Sequence, residues 1–313
     1  MESKICTMLG IDYPVFQGGM AWISDGGLAA AVSEGGGLGI IAAGNAPADY
    51  VREQIRVARK LTDRPIGLNV MLLSPYADEV AEVAAREKVS VVTTGAGNPS
   101  KYMDMWKDAG IYIIPVVASA SMAKLMTALG ASALIAEGGE SGGHIGELST
   151  MVLVPQVCDA TQLPVIAAGG IADGRGLAAA VMLGACGVQM GTRFLSAEEC
   201  MIHPVYKEMI LRAGERCTMV TGRRLGHPVR SLRTSFPRNY EKAENGGASD
   251  EVLEAMGSGA LRLAAQEGDL KNGCFLSGQA ACMVREIQPA ADIVREVIYE
   301  AELLLRGAHT WIE

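Results

Sequence analysis

Short runs of uninterrupted apolar residues, rich in Val and Ile, recur along the chain and give way to Gly, Asn, Thr or Ser. Eight are evident: Pro14–Gly18, Leu38–Ala42, Ile66–Met71, Val89–Thr94, Ile111–Ala118, Ala133–Glu137, Pro164–Ala168 and Gly187–Phe194. Continuous rather than alternating hydrophobicity marks strands buried on both faces, as in a parallel sheet covered by helices. Between the runs, 48–61, 76–88, 101–109, 121–129 and 176–183 read as helices, several closed by glycine. Eight strand–helix units in about 200 residues predict an α/β fold, the (β/α)8 TIM barrel, over an open doubly wound sheet. After the eighth run the rhythm breaks. Residues 196–213 look helical, 217–238 irregular and 249–267 helical again, before a glycine-rich return from Gly273 and a last amphipathic helix over 289–306. The expected organisation is therefore a barrel of residues 1–196 plus 273–313, with an inserted helical and irregular cap over 197–272.

Composition narrows the class. Among 313 residues, 49% are hydrophobic and 20% charged, which excludes a disordered chain. The uncharged stretch 177–192 carries three glycines and is too short to span a bilayer. No signal-peptide pattern opens the sequence, and the seven cysteines are scattered without metal-ligand spacing, so the expectation is a reduced, cytoplasmic protein with no metal site. A net charge of −8 argues against nonspecific binding to nucleic acid or to an anionic membrane. The 38 glycines exceed ordinary usage and imply tight turns and close backbone approach to a ligand.

In a barrel, chemistry sits at the C-terminal ends of the strands. Gly169 and Gly170 after the seventh run, with Met190, Gly191 and Thr192 after the eighth, offer backbone amides and a hydroxyl where such barrels bind phosphate. Gly19, Met20 and Ala21, with Asn69, can lie along a flat heterocycle, and Glu137 can accept from ribityl hydroxyls. His144, flanked by Gly142, Gly143 and Gly146, is expected on a mobile loop, where an imidazole moves protons near neutral pH. His203 and His309 read as structural or solvated.

These motifs resemble a known family. Gln17-Gly18-Gly19-Met20-Ala21-Trp22, Thr93-Thr94-Gly95-Ala96-Gly97-Asn98-Pro99-Ser100, Gly142-Gly143-His144-Ile145-Gly146, Ala168-Gly169-Gly170-Ile171 and Gly191-Thr192-Arg193-Phe194 are similar to the nitronate monooxygenase (2-nitropropane dioxygenase) superfamily. Within it they resemble most the flavin-dependent enoyl-[acyl-carrier-protein] reductase II branch, the FabK family. The resemblance implies an FMN-bound TIM barrel that reduces trans-2-enoyl chains on acyl carrier protein with NADH or NADPH, hydride passing through flavin N5 to the enoyl β-carbon. It implies FMN held by Gly19, Met20, Ala21, Asn69, Glu137, Gly142, Gly143, Gly169, Gly170, Met190, Gly191 and Thr192, with Ser277 and Gly278 closing from the return. It implies further a catalytic role for His144, a place for a monovalent cation, and a homodimer. Leu276-Ser277 departs from the reductases' usual residues there.

The alternatives are a nitronate monooxygenase, oxidising alkyl nitronates with FMN and O2, a flavin- or phosphate-binding protein without turnover, and a barrel that isomerises a phosphorylated metabolite without flavin. Residues 218–240 contain no Asp or Glu, yet carry Arg223, Arg224, Arg230, Arg233 and Arg238. The first four are candidates for docking an acidic carrier protein.

Overall fold

The computed structural model describes residues 3–311. Eight parallel strands close a barrel: β1 (Val15–Gln17), β2 (Leu38–Ala42), β3 (Ile66–Met71), β4 (Val91–Gly95), β5 (Tyr112–Val117), β6 (Leu134–Glu137), then, beyond the two-residue β7 (Gly143–His144), β8 (Val165–Ala168) and β9 (Gly187–Met190). Pairing of β1 with β9 completes the ring, Val15 standing against Val188 and Gln17 against Met190. Phe16, Leu38, Ile40, Val91, Ile114, Ile135 and Ile166 fill the interior. Ile5 and Leu9, from the helix Lys4–Leu9, join the same cluster. The strand residues that alternate with the interior ones, such as Ile41, Leu68, Val92 and Ile113, face outward into the surrounding helices. This period-two division of wholly apolar strands is what burial on both faces requires.

The expected strands are all present: Leu38–Ala42 and Ile66–Met71 match end to end, the fourth runs over 91–95 rather than 89–94, and the others are shorter by one to four residues. Of the helices between barrel strands, two had no sequence expectation, Gly26–Glu34 and Thr150–Ala160. The first opens on two glycines and the second carries Pro155 inside it; both are apolar nearly all round, so their periodicity is faint. Gly39 shows how close the layers lie: a Cβ there would strike the Ala29 carbonyl of helix Gly26–Glu34.

Beyond β9 the structure corrects the sequence expectation. Residues 217–238 are not irregular: β10 (Thr218–Thr221) and β11 (Val229–Leu232) form a hairpin, and helix Ser235–Asn245 follows. The expected helix over 196–213 reduces to a 3-10 turn ending at Ser196 and the helix Pro204–Leu211. The one expected over 249–267 breaks at Gly259, whose φ is +74°, into Asp250–Gly257 and a short turn ending in π geometry. Phe236, Tyr240, Leu253 and Ala260 make a small separate core. Tyr206, Ile210, Ala264 and Ala265, from the two ends of the same insertion, belong instead to the barrel's main cluster. On the last helix, Ala290–Gly307, Ile293 and Val297 pack fully against the barrel while Leu304 is exposed. All seven cysteines are free thiols. No described helix is long and apolar enough to cross a membrane.

Gly39→Ala should lower the free energy of unfolding by about 1–3 kcal/mol, since backbone rather than a flexible side chain must yield. Gly257→Ala, with nothing near its added methyl, should leave the urea midpoint unchanged or slightly raised.

Candidate active site

At the C-terminal ends of the strands the inward positions turn polar. Asn69 on β3, Thr93 on β4, Glu137 on β6 and Gln189 on β9 stand there above the apolar interior, and Asn69 Nδ2 donates to Thr93 Oγ1 at 2.9 Å. Above them lies a cavity of about 600 Å3. His144 and every proposed cofactor residue line it: Gly19, Met20, Ala21, Asn69, Glu137, Gly142, Gly143, Gly169, Gly170, Met190, Gly191, Thr192, Ser277 and Gly278. Its size and mixed lining are those of a cofactor cleft.

The wall after β8 and β9 is made of backbone. Gly169 (φ +96°) and Gly170 (φ +73°) are left-handed, and a Cβ on Gly169 would come within 2.8 Å of the Gly138 carbonyl oxygen. The amides of Gly169, Gly170, Gly191 and Thr192 donate to no protein acceptor among the described residues. Thr192 Oγ1 accepts from the Gly278 amide at 2.9 Å, so its own proton is available to a ligand. Four convergent N–H groups and one hydroxyl fit a phosphate, and backbone amides left unpaired in a cleft call for an acceptor.

The return segment packs onto this wall through backbone contacts. Gln279 N donates to the Glu140 carbonyl at 2.9 Å, and a Cβ on Gly142 would lie 2.6 Å from the Ser277 carbonyl carbon. Tyr206, fully buried against Phe275 at 4.9 Å between ring centroids, donates its hydroxyl to the Leu276 carbonyl at 2.5 Å.

His144 is not on a mobile loop. It forms β7 with Gly143, and β7 pairs with β11 in a three-stranded sheet, His144 opposite Val229 and Gly143 opposite Arg230. The imidazole is reached by solvent through the cavity mouth yet is surrounded by protein on most sides. That desolvation, with His227 at 6.5 Å between ring centroids, lowers its pKa below 6.5 and keeps it neutral at pH 7. Glu137 goes the other way: burial raises its carboxyl from 4.5 to about 7, against the lowering effect of the Ser141 hydroxyl, which donates to it at 3.2 Å.

Sequence reasoning had not singled out Gln189, Met71 and Met122, which line the cavity, or His227 beside His144. Gln189 left a signal, an amide inside an otherwise apolar strand. Glu140, beside the site, caps helix Thr150–Ala160 by accepting from the Thr150 amide at 2.9 Å. Trp22 (φ +62°) and Ala96 (φ +56°) hold left-handed backbone on the loops after β1 and β4. The Trp22 strain is retained under the Arg262 guanidinium, 5.2 Å from its ring. His203 caps helix Pro204–Leu211, and the His309 side chain lies outside the described residues.

Of the four candidate docking arginines, three are engaged by distant parts of the chain. Arg223 pairs with Glu147 at 3.1 Å and Arg224 with Asp250 at 3.0 Å. Arg230 turns inward, its guanidinium donating to the Gly139 carbonyl at 2.8 and 3.1 Å and to Thr218 Oγ1 at 3.2 Å. Arg233, like Arg230, has no acidic partner among the described residues; it donates to the Thr218 carbonyl at 3.2 Å. No group of three His, Cys, Asp or Glu side chains that could hold a metal ion occurs among the described residues.

The family model described as nitronate monooxygenase matches residues 2–300. The chain belongs to the nitronate monooxygenase family. It is thereby a flavin oxidoreductase. Among solved structures, FabK from Thermotoga maritima is 48% identical, covers 99% of both chains and superposes with a TM-score of 0.97. A (3aS,4S,5R,7aS)-5-hydroxy-7a-methyl-1-oxo-octahydro-1H-indene-4-carboxyl-CoA dehydrogenase of Mycobacterium tuberculosis is 32% identical over 100% of this chain and 99% of its own. A nitronate monooxygenase of Paraburkholderia phytofirmans is 33% identical over 95% and 94%.

Glu137 has a readable consequence. Its folded form holds a proton that the unfolded chain releases above pH 4.5, so stability falls as pH rises from there and levels off above about 7. In flavin-free protein, Glu137→Gln should therefore melt higher than the parent at about pH 8, by on the order of 3 kcal/mol at most. The two melting curves should converge as pH falls toward 4.5.

Proposed function

We propose that this protein is an FMN-dependent reductase of trans-2-enoyl thioesters carried on acyl carrier protein, driven by NADH or NADPH. The likeness to FabK, at 48% identity along nearly the whole of both chains, carries this reading. The cavity supports it. Gly169, Gly170, Gly191 and Thr192 would hold the phosphate of FMN, and Glu137 the ribityl hydroxyls. Gly19, Met20, Ala21 and Asn69 would lie along the ring system, with Gly142, Gly143, Met190, Ser277 and Gly278 completing the walls. Bound FMN supplies two-electron chemistry, relaying hydride from the nicotinamide to the enoyl β-carbon while a proton is added at the α-carbon.

His144 is held by strand pairing at the cavity mouth. A neutral imidazole keeps one N–H, which can donate to the thioester carbonyl and stabilise the negative charge that develops there as hydride arrives. The same neutral side chain can accept a proton, the property nitronate oxidation would use, and membership of the nitronate monooxygenase family keeps that as the second reading.

Two measurements separate them. Anaerobic stopped flow on FMN-loaded protein should show reduction by NAD(P)H and rapid reoxidation by crotonyl-carrier protein without oxygen. Sluggish reduction by NAD(P)H with ready reduction by propionate nitronate moves the assignment to nitronate oxidation. His144→Ala should lower kcat by on the order of 10²–10⁴ while the yellow flavin band is retained. In the parent, kcat/KM should stay flat from neutral pH upward and fall only on the acid side, below 6.5, where the imidazole gains its proton.

A further inference from the structure

A second cleft, of about 490 Å3, opens between the end of helix Pro204–Leu211, the loop 212–217, the end of β11 and the first turn of helix Ser235–Asn245. Four exposed guanidinium groups line it: Arg212, Arg216, Arg233 and Arg238. The one acid in its wall, Glu208, lies 3.7 Å from Arg212. Arg216 and Arg238 have neither an acidic nor a hydrogen-bonding partner among the described residues. Arg238 also stands in the first turn of its helix, where the unpaired amides already make a positive end and where Thr234 supplies no side-chain cap. In a protein of net charge −8, the three of these cations that lack an acidic partner gather beside a positive helix end and repel one another until an anion joins them.

The floor is apolar, built from Met209 and Leu232, with Leu270 half exposed at the rim. Guanidinium groups take phosphate oxygens in pairs and stack on flat heterocycles, so a guanidinium rim over an apolar floor suits a phosphorylated nucleoside. An acidic protein face would call for a broad convex surface rather than a concave cleft. Strand rise of about 3.3 Å per residue puts Arg233 roughly 13 Å along the chain from Val229, the register partner of His144. That separation is within reach of an extended pantetheine arm or of a dinucleotide.

We propose that this cleft binds an adenosine diphosphate carrying a further ribose phosphate, the head shared by coenzyme A and NADPH; its tie to turnover rests on the reductase reading above. Calorimetric titration of the FMN-loaded protein with adenosine 3′,5′-bisphosphate and, separately, adenosine 2′,5′-bisphosphate tests it against the double variant Arg216→Glu/Arg238→Glu. At least one bisphosphate should bind the parent, and the variant should bind it about tenfold more weakly or worse. Preference for the 3′,5′ isomer assigns the cleft to coenzyme A, with a matching rise in KM for crotonyl-CoA at unchanged kcat. Preference for the 2′,5′ isomer assigns it to NADPH, with KM for NADPH rising and that for NADH unmoved. Absence of binding, or equal binding to the variant, overturns the proposal, as does a rise in KM confined to crotonyl-carrier protein, which would make the arginines a protein-docking surface. Failure of the reductase reading shows elsewhere: crotonyl-N-acetylcysteamine, which has neither phosphate nor carrier, would then fail to reoxidise the parent's flavin, whatever the titration gives.

Discussion

The arrangement of the site depends on backbone meeting backbone where no Cβ can stand. The return segment reaches the barrel top by lying against Gly142, joining the Glu140 carbonyl through the Gln279 amide and the Thr192 hydroxyl through the Gly278 amide. The loops after β6 and β9 are thereby fixed to the same four-residue stretch, which Tyr206 holds from behind. Substituted side chains would prise these contacts open by a carbon's width, and the unpaired amides of Gly169, Gly170, Gly191 and Thr192 would no longer converge. The glycine content of the chain thus has a specific use at this end: it lets three loops from distant parts of the sequence touch.

The barrel was legible because both faces of each strand are buried, so hydrophobicity runs unbroken and the units repeat at near-constant spacing. The same rule hid helices Gly26–Glu34 and Thr150–Ala160, which are apolar on nearly every side and lack a polar face to mark their period. The β10–β11 hairpin was invisible for a different reason. Its strands are four residues each, with charged and polar residues between the apolar ones, and its stability comes from pairing with β7 and from the bond between Leu232 and Phe275, contacts with no local signature.

The site was readable where a residue's position on its strand set its role, as for Asn69, Glu137, Gly170 and Thr192. Charge was the harder matter. Arg230 sits in a run without acids, which reads as a free basic surface, but a guanidinium on a long stem goes wherever carbonyl oxygens are gathered, and here that is Gly139 inside the fold. Arg223 found Glu147, some seventy residues away in sequence. The cations left over, Arg216 and Arg238 among them, were distinguishable only once their neighbours were known.

The strand pairing of His144 also sets an order of events in the cell. When Met190 has left the ribosome, all eight barrel strands exist and can close, because each pairs chiefly with its nearest neighbour in the chain. The histidine then still lacks β11, whose partner residues follow it by 85 positions, and the phosphate wall lacks Gly278. Such distant contacts form late and slowly compared with the local strand–helix units. A nascent chain at that stage has its eight strands but neither the strand partner of His144 nor the last helix, whose Ile293 and Val297 pack on the barrel, so a product truncated there would lack both a working cleft and part of its core.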